Sequence, residues 1–150
     1  MNIFAVDMDP VIAAQSLIDR HIVKMPSECC IMLANAYPIE RLRQAPRTQN
    51  LKLRGHGYPY HGCTRWVKLS YQNFEWLVQH SLALCEEYTY RTGKVHFCQT
   101  FIEWCSQNNP ILPILGLTPH FLAVGEEYKM GDVVESYRAY YRTKKVDKKG

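Results

Sequence analysis

Apolar residues recur at helical spacing through most of the chain, and the residues between those runs divide it into elements. The clearest period lies in the middle. Trp66, Leu69, Asn73, Trp76, Leu77, His80, Leu84 and Tyr88 fall on one face of a helix predicted over 64–91, with Gly93 placed as its C-terminal cap. Earlier, Asp9 followed by Pro10 reads as N-cap and first helical residue of a helix through "VIAAQSLID", with Val11, Ala14, Ile18 and His21 or Ile22 near one face. Proline inside a helix costs ~3 kcal/mol, so Pro26 predicts a kink or a restart before "SECCIMLANAY" continues as a buried helix. "FCQTFIEWC" forms a shorter amphipathic helix ended by "NNP". Asp132 and Glu135 have capping-box spacing and open a last helix at "VVESYRAYYRTKK".

Other stretches resist regular structure. "IFAV" near the N-terminus is a short strand or an extended arm, and "PILPILGLTPHFLA" has too many prolines to be anything but an extended apolar strap. Pro38, Pro46, Gly55, Gly57, Pro59 and Gly62 mark an irregular connection over about 38–62, longer than structureless loops usually are and therefore functional or mobile. The expected architecture is all-α: one compact helical domain over 1–150, with a short extended N-terminal segment and a frayed tail at 143–150.

Composition adds little until charge is placed along the chain. With 47% hydrophobic and 21% charged residues the protein is of the soluble globular kind, and its net charge of +4 is modest. The distribution is not even: from Arg41 to Phe74 there is no Asp or Glu, while Arg41, Arg43, Arg47, Lys52, Arg54, Arg65 and Lys68 all fall there. A one-sign stretch of that length points to an anionic partner. No apolar run approaches the ~18 residues of a membrane span, so no membrane is expected. The opening "MNIFAVDMDP" has early acids and no long apolar core, so the six cysteines read as reduced thiols in a cytoplasmic protein rather than as a disulfide framework.

The densest chemistry lies in "RGHGYPYHGCTRW", residues 54–66. His56, His61 and Cys63 are close in sequence, but no Cys-x-x-Cys or His-x-x-x-His pair accompanies them, so no metal is expected. Cys63 beside His61 and Arg65 is the one candidate thiol nucleophile. An anion-holding loop is the favoured reading. Gly55, Gly57 and Gly62 let the backbone approach a phosphate, His61 and Arg65 supply contacts, and Trp66 turns inward. A second basic cluster is "DRHIVKM": Arg20 and Lys24 share a helix face, as do His21 and Met25, and Glu28 stands one turn beyond Lys24. Arg20, His21, Lys24, His61 and Arg65 are thus the expected contacts to DNA or nucleotide phosphate.

"DMDPVIAAQSLIDRHIVKM", "YHGCTRWV", "NFEWLVQHSLALCEEYTYRTGKVH" and "EEYKMGDVVESYRAYYRTKK" together resemble a family of small, mainly phage-encoded proteins, the pyrimidine-dimer DNA glycosylases or endonuclease V-like proteins. The resemblance leaves out residues 41–55 and 105–120. It implies base excision followed by abasic lyase chemistry without a cofactor: an amine attacks the deoxyribose C1′, and a carboxylate stabilises the charge and moves protons. On this sequence the implied catalytic residues are Met1 through its α-amine, Glu28, and Lys24. For a phage protein the implied place is the host cytoplasm.

This chain also departs from the family pattern. The family's characterised dimer-specific enzyme exposes a small N-terminal residue after Met removal, whereas a second residue as large as Asn2 normally keeps Met1 in place. Lys24 stands where the catalytic Glu is expected, leaving Glu28 as its substitute, and "YHGC" replaces Asn-His-Pro. Two readings therefore stand: a glycosylase with lyase activity, and a non-catalytic DNA- or nucleotide-binding protein on the same scaffold that counters a host defence.

Overall fold

A computed structural model of the chain describes residues 1–46 and 56–143. It is all-helical, with no strand among those residues. The elements are α1 (Pro10–Gln15), α2 (Asp19–Ala34), α3 (Ile39–Leu42), α4 (Gly62–Leu69), α5 (Tyr71–Thr92), α6 (Gln99–Gln107), a 3-10 turn at Glu126–Tyr128, and α7 (Val133–Thr143). The long helix α5 is the hub, with α1, α2, α4 and α6 all packed on it. Phe74, Leu77, Leu84 and Cys85 from α5 meet Ile22, Met25, Cys29 and Leu33 from α2 in one buried cluster. The end of α5 is the expected one: Gly93 adopts φ 74°, the left-handed cap that glycine takes without steric cost.

The predicted helix over 64–91 is in fact two. Ser70 sits extended at φ −149°, and its Oγ accepts from the Asn73 amide, starting α5 afresh. The same hydroxyl donates to the Gly116 carbonyl at 2.7 Å, and buried Asn73 bonds both the Trp66 carbonyl and Thr118. A serine at this spacing is a cap signal, and here the strap at 113–118 fixes it.

The N-terminal helix is also divided, but not at the proline. Asp9 caps α1 as expected, accepting from the Val11 and Ile12 amides. The chain then breaks at Ser16–Ile18, where Arg91 of α5 donates to the carbonyls of Gln15 and Leu17 and pairs with Asp19. A guanidinium thus satisfies the orphan carbonyls at that turn, which lets the helix stop there. Beyond it, α2 runs unbroken through Pro26, which is buried. The apolar face from Ile22 to Leu33 outweighs the one hydrogen bond that the proline removes.

Ile3–Val6 form a buried arm without a strand partner. Within it Phe4 has φ 57°, a left-handed conformation costing about 1–2 kcal/mol for a residue with a side chain. The strap is irregular as expected, and its apolar burial is only partial: Leu112, Leu122 and Ala123 pack against the core, while Ile111, Ile114 and Leu115 are exposed. Hydrogen bonds add to that hold: Tyr71 N–H to Pro113 O, Gly116 N–H to Gln72 Oε1, and the Trp66 indole N–H to Thr118 O. Asp132 caps α7 through the Glu135 amide, whereas the Glu135 side chain bonds Arg138 instead of closing a capping box. The connection at 38–62 contains α3; its segment 47–55 and the tail at 144–150 lie outside the described residues.

Trp66 is 4% exposed, stacks on His120 with ring centroids 4.2 Å apart, and meets Trp76 edge-on. Its replacement in Trp66→Ala should lower the free energy of unfolding by roughly 3–5 kcal/mol in urea titration, because a large cavity opens at the junction of α4, α5 and the strap.

Candidate active site

The site is assembled around Glu28. Spacing of four residues on α2 puts Lys24 and Glu28 on one face, and Lys24 Nζ lies 3.5 Å from Glu28 Oε2. The other carboxylate oxygen faces the chain start: the Met1 α-ammonium lies 3.5 Å from Oε1, and the Asn2 amide donates to it at 3.0 Å. Three residues singled out in the sequence, Met1, Lys24 and Glu28, therefore meet. Their exposures differ. The Met1 and Glu28 side chains are 6% and 13% exposed, while Lys24 is 68% exposed. An α-amine beside a shielded carboxylate can serve as a nucleophile next to a proton acceptor, and the exposed lysine paired with the same carboxylate offers positive charge to solvent.

Asn2 sets how the chain start reaches Glu28. Its Oδ1 accepts from the Ile3 and Phe4 amides at 2.8 and 3.2 Å, and from the Tyr137 hydroxyl at 2.7 Å. Its Nδ2 donates to the Ala123 carbonyl at 2.9 Å. The Met1 side chain lies against the core, and the Thr64 hydroxyl is 3.7 Å from its sulfur.

The second wall comes from the start of α4. His61 is its N-cap, with Nδ1 accepting from the Cys63 amide at 3.0 Å. Burial and the nearby α-ammonium push its pKa down, so the ring is neutral and offers its Nε2 side as a donor rather than a cation. Phe121 of the strap packs edge-on to His61, with centroids 6.0 Å apart. One turn on, Arg65 is exposed, its guanidinium 5.8 Å from the ring centre of Tyr60, which is 79% exposed. Gly62, Arg65, Leu69, Pro119 and Phe121 line a shallow groove beside these groups.

Several expectations need correction. His21 is not a phosphate ligand: it is 5% exposed, stacks on Phe4 at 4.2 Å and 11°, and is hydrogen-bonded to the Tyr141 hydroxyl. Burial, reinforced by Arg20, lowers its pKa to about 4, so it carries no charge at neutrality. Gly57 and Gly62 have a packing reason for lacking a side chain. A Cβ on Gly62 would meet the Phe121 ring at 2.5 Å, and one on Gly57 would meet Ile31 at 3.2 Å. Gly55 and Arg54 lie outside the described residues. Cys63 is fully buried and its thiol is pushed up to about 12 by that burial, so it is no nucleophile. Arg20 is exposed on the first turn of α2. Among the described residues no cluster of three His, Cys, Asp or Glu side chains could hold a metal.

Sequence reasoning missed Asn2 as an anchor, and it missed Tyr137 and Phe121 altogether. Tyr137 carried only an amphipathic-helix signal, and Phe121 only the apolar strap.

A family model described as pyrimidine dimer DNA glycosylase matches residues 1–98 of the 150. The matched stretch contains Met1, Lys24, Glu28, His61 and Arg65 and ends before α6, the strap and α7. No curated protein and no solved structure matches the chain.

Three of the buried histidines weaken the fold in acid, whereas His96, whose burial is outweighed by its bonds to Cys98 and the Val23 carbonyl, is raised and acts in the opposite sense. Burial lowers His21 and His80 to about 4 and His120 to about 3, from an ordinary value of 6.5. Between those values the unfolded chain binds more protons than the folded one. Their contribution to stability is therefore complete above pH 6.5 and is lost as pH falls toward 4, on the order of 2–3 kcal/mol for each. Urea midpoints should fall steadily from pH 7 to 4.5, and His21→Phe should flatten that slope. An unchanged slope in the variant would show that His21 does not titrate on unfolding.

Proposed function

The chain belongs to the pyrimidine dimer DNA glycosylase family, and on that premise we propose that it is a DNA glycosylase with abasic lyase activity whose nucleophile is the α-amine of Met1. The observation that carries this reading is the placement of that amine 3.5 Å from the shielded carboxylate of Glu28. With DNA bound, the ammonium first passes a proton to Glu28 or to water. The nitrogen lone pair then attacks C1′ of the damaged nucleotide. The C1′–N bond breaks, and its electrons leave with the base, which takes up a proton.

Opening of the C1′–O4′ bond, with protonation of O4′, leaves an iminium between the Met1 nitrogen and C1′. Loss of a C2′ proton sends electrons into the C3′–O bond, so the 3′ phosphate departs. Water then hydrolyses the imine and frees the amine. Glu28 suits two parts of this sequence, taking the first proton and stabilising the iminium as a fixed counter-charge.

Lys24, Arg20 and Arg65 suit the phosphates on either side of the lesion, and the His61 Nε2–H adds a neutral donor. Lys24 also balances Glu28 before DNA arrives. Exposed Tyr60, held under Arg65, presents an aromatic face beside that guanidinium.

Borohydride reduction during incubation with dimer-containing or abasic duplex should trap a covalent protein–DNA adduct. Glu28→Gln should slow trapping by about 10²-fold or more, as expected for loss of a proton-transferring group, without a matching change in DNA affinity. Binding without any adduct in the parent protein would favour the non-catalytic reading on the same scaffold.

Binding should fall steeply with salt. Arg65→Ala should reduce the slope of log K against log salt by about 1 while leaving base preference unchanged. A salt slope identical to the parent's would remove Arg65 from the phosphate contacts.

A further inference from the structure

We propose that Asn2 and Tyr137 are positioning residues for the nucleophilic amine, so that the C-terminal part of the chain, beyond the family match, completes the active site. This inference rests on the glycosylase–lyase reading. The Met1 amine is joined to the rest of the chain through the Asn2 peptide, and that peptide's N–H is fixed on the same Glu28 oxygen that the amine faces. Where the amine points therefore depends on what holds Asn2.

The Asn2 amide is fixed at both ends. Its oxygen accepts from the Ile3 and Phe4 amides and the Tyr137 hydroxyl, and its nitrogen donates to Ala123 O. The amide cannot flip without facing donor to donor and acceptor to acceptor. Tyr137 is fully buried, and its hydroxyl also accepts from the Ala123 amide at 3.1 Å. One phenol thus joins the chain start to the strap, and α7 carries it. Arg138, the next residue on α7, adds a second tie by donating to the Val6 carbonyl at 2.8 Å and pairing with Asp7.

The left-handed Phe4 fits the same account. Its amide is one of the donors to Asn2 Oδ1, so the knot includes the residue at which the arm turns. A chain terminus without such ties frays, and an amine free to swing spends little time at the attacking geometry.

Two variants test this: Tyr137→Phe, which removes one oxygen and keeps the ring, and Asn2→Leu, which removes the amide and leaves the second residue large enough to keep Met1 in place. Both are studied well below their own unfolding transitions, with abasic duplex at saturation. Adduct formation per folded molecule should fall roughly 10- to 100-fold in each, while the dissociation constant for abasic DNA stays within about twofold. A merely structural role would lower the melting temperature and leave the saturated rate where it was. That result, in a parent protein that does form the adduct, overturns the positioning role alone. A parent protein that forms no adduct overturns the glycosylase–lyase reading and this inference with it.

Discussion

A carboxylate withdrawn from water must be matched by cations or donors, and Glu28 is such a group. Its side chain is 13% exposed, and its partners are the Met1 ammonium, the Asn2 amide and Lys24. Leaving a shielded charge unmatched costs several kcal/mol, so the chain start has a physical reason to fold back onto α2. The ion pair draws the arm inward. Burial of Ile3, Phe4, Ala5 and Val6 then becomes a consequence of where the terminus is held as well as a contribution to the core.

The other elements follow from that return of the chain. The arm passes between α2 and α7: Phe4 stacks on His21 and lies against Tyr137, Tyr140 and Tyr141. The strap crosses α4 and the start of α5, bonded to Ser70, Gln72 and Asn73, and delivers Phe121 and Ala123 to the chain start. Rigid helices therefore carry Glu28 and His61, while irregular chain held by hydrogen bonds carries the amine. That division suits a nucleophile that must stay accessible at a terminus yet be held at one carboxylate.

Much of the helical framework was legible in the sequence, because period and cap residues are local signals. The part of the stripe from Asn73 to Leu84, the Asp9 cap and the Gly93 stop read correctly, whereas Leu69, in the separate helix α4, is exposed. The division at Ser70 was not, since the stripe continues in register across it and only the strap reveals the serine as a cap. The helix does not restart at Pro26 for the opposite reason: a local penalty is outweighed by burial of a helix face. In the site, Lys24 and Glu28 were legible as an i, i+4 pair, and family resemblance supplied the amine. His21 was read as a phosphate contact because its neighbours are basic, whereas its ring belongs to an aromatic stack formed with residues 4 and 141. Asn2 and Tyr137 lie 135 positions apart. No local pattern could join them.

If the amine held at Glu28 is the group that reacts, the borohydride-reduced adduct carries its sugar remnant there. Mass spectrometric mapping, after peptide digestion and removal of most of the DNA, should find the remnant on the α-nitrogen of the N-terminal peptide that begins at Met1. A remnant on the ε-nitrogen of Lys24, its neighbour across the same carboxylate, would show that the lysine reacts instead.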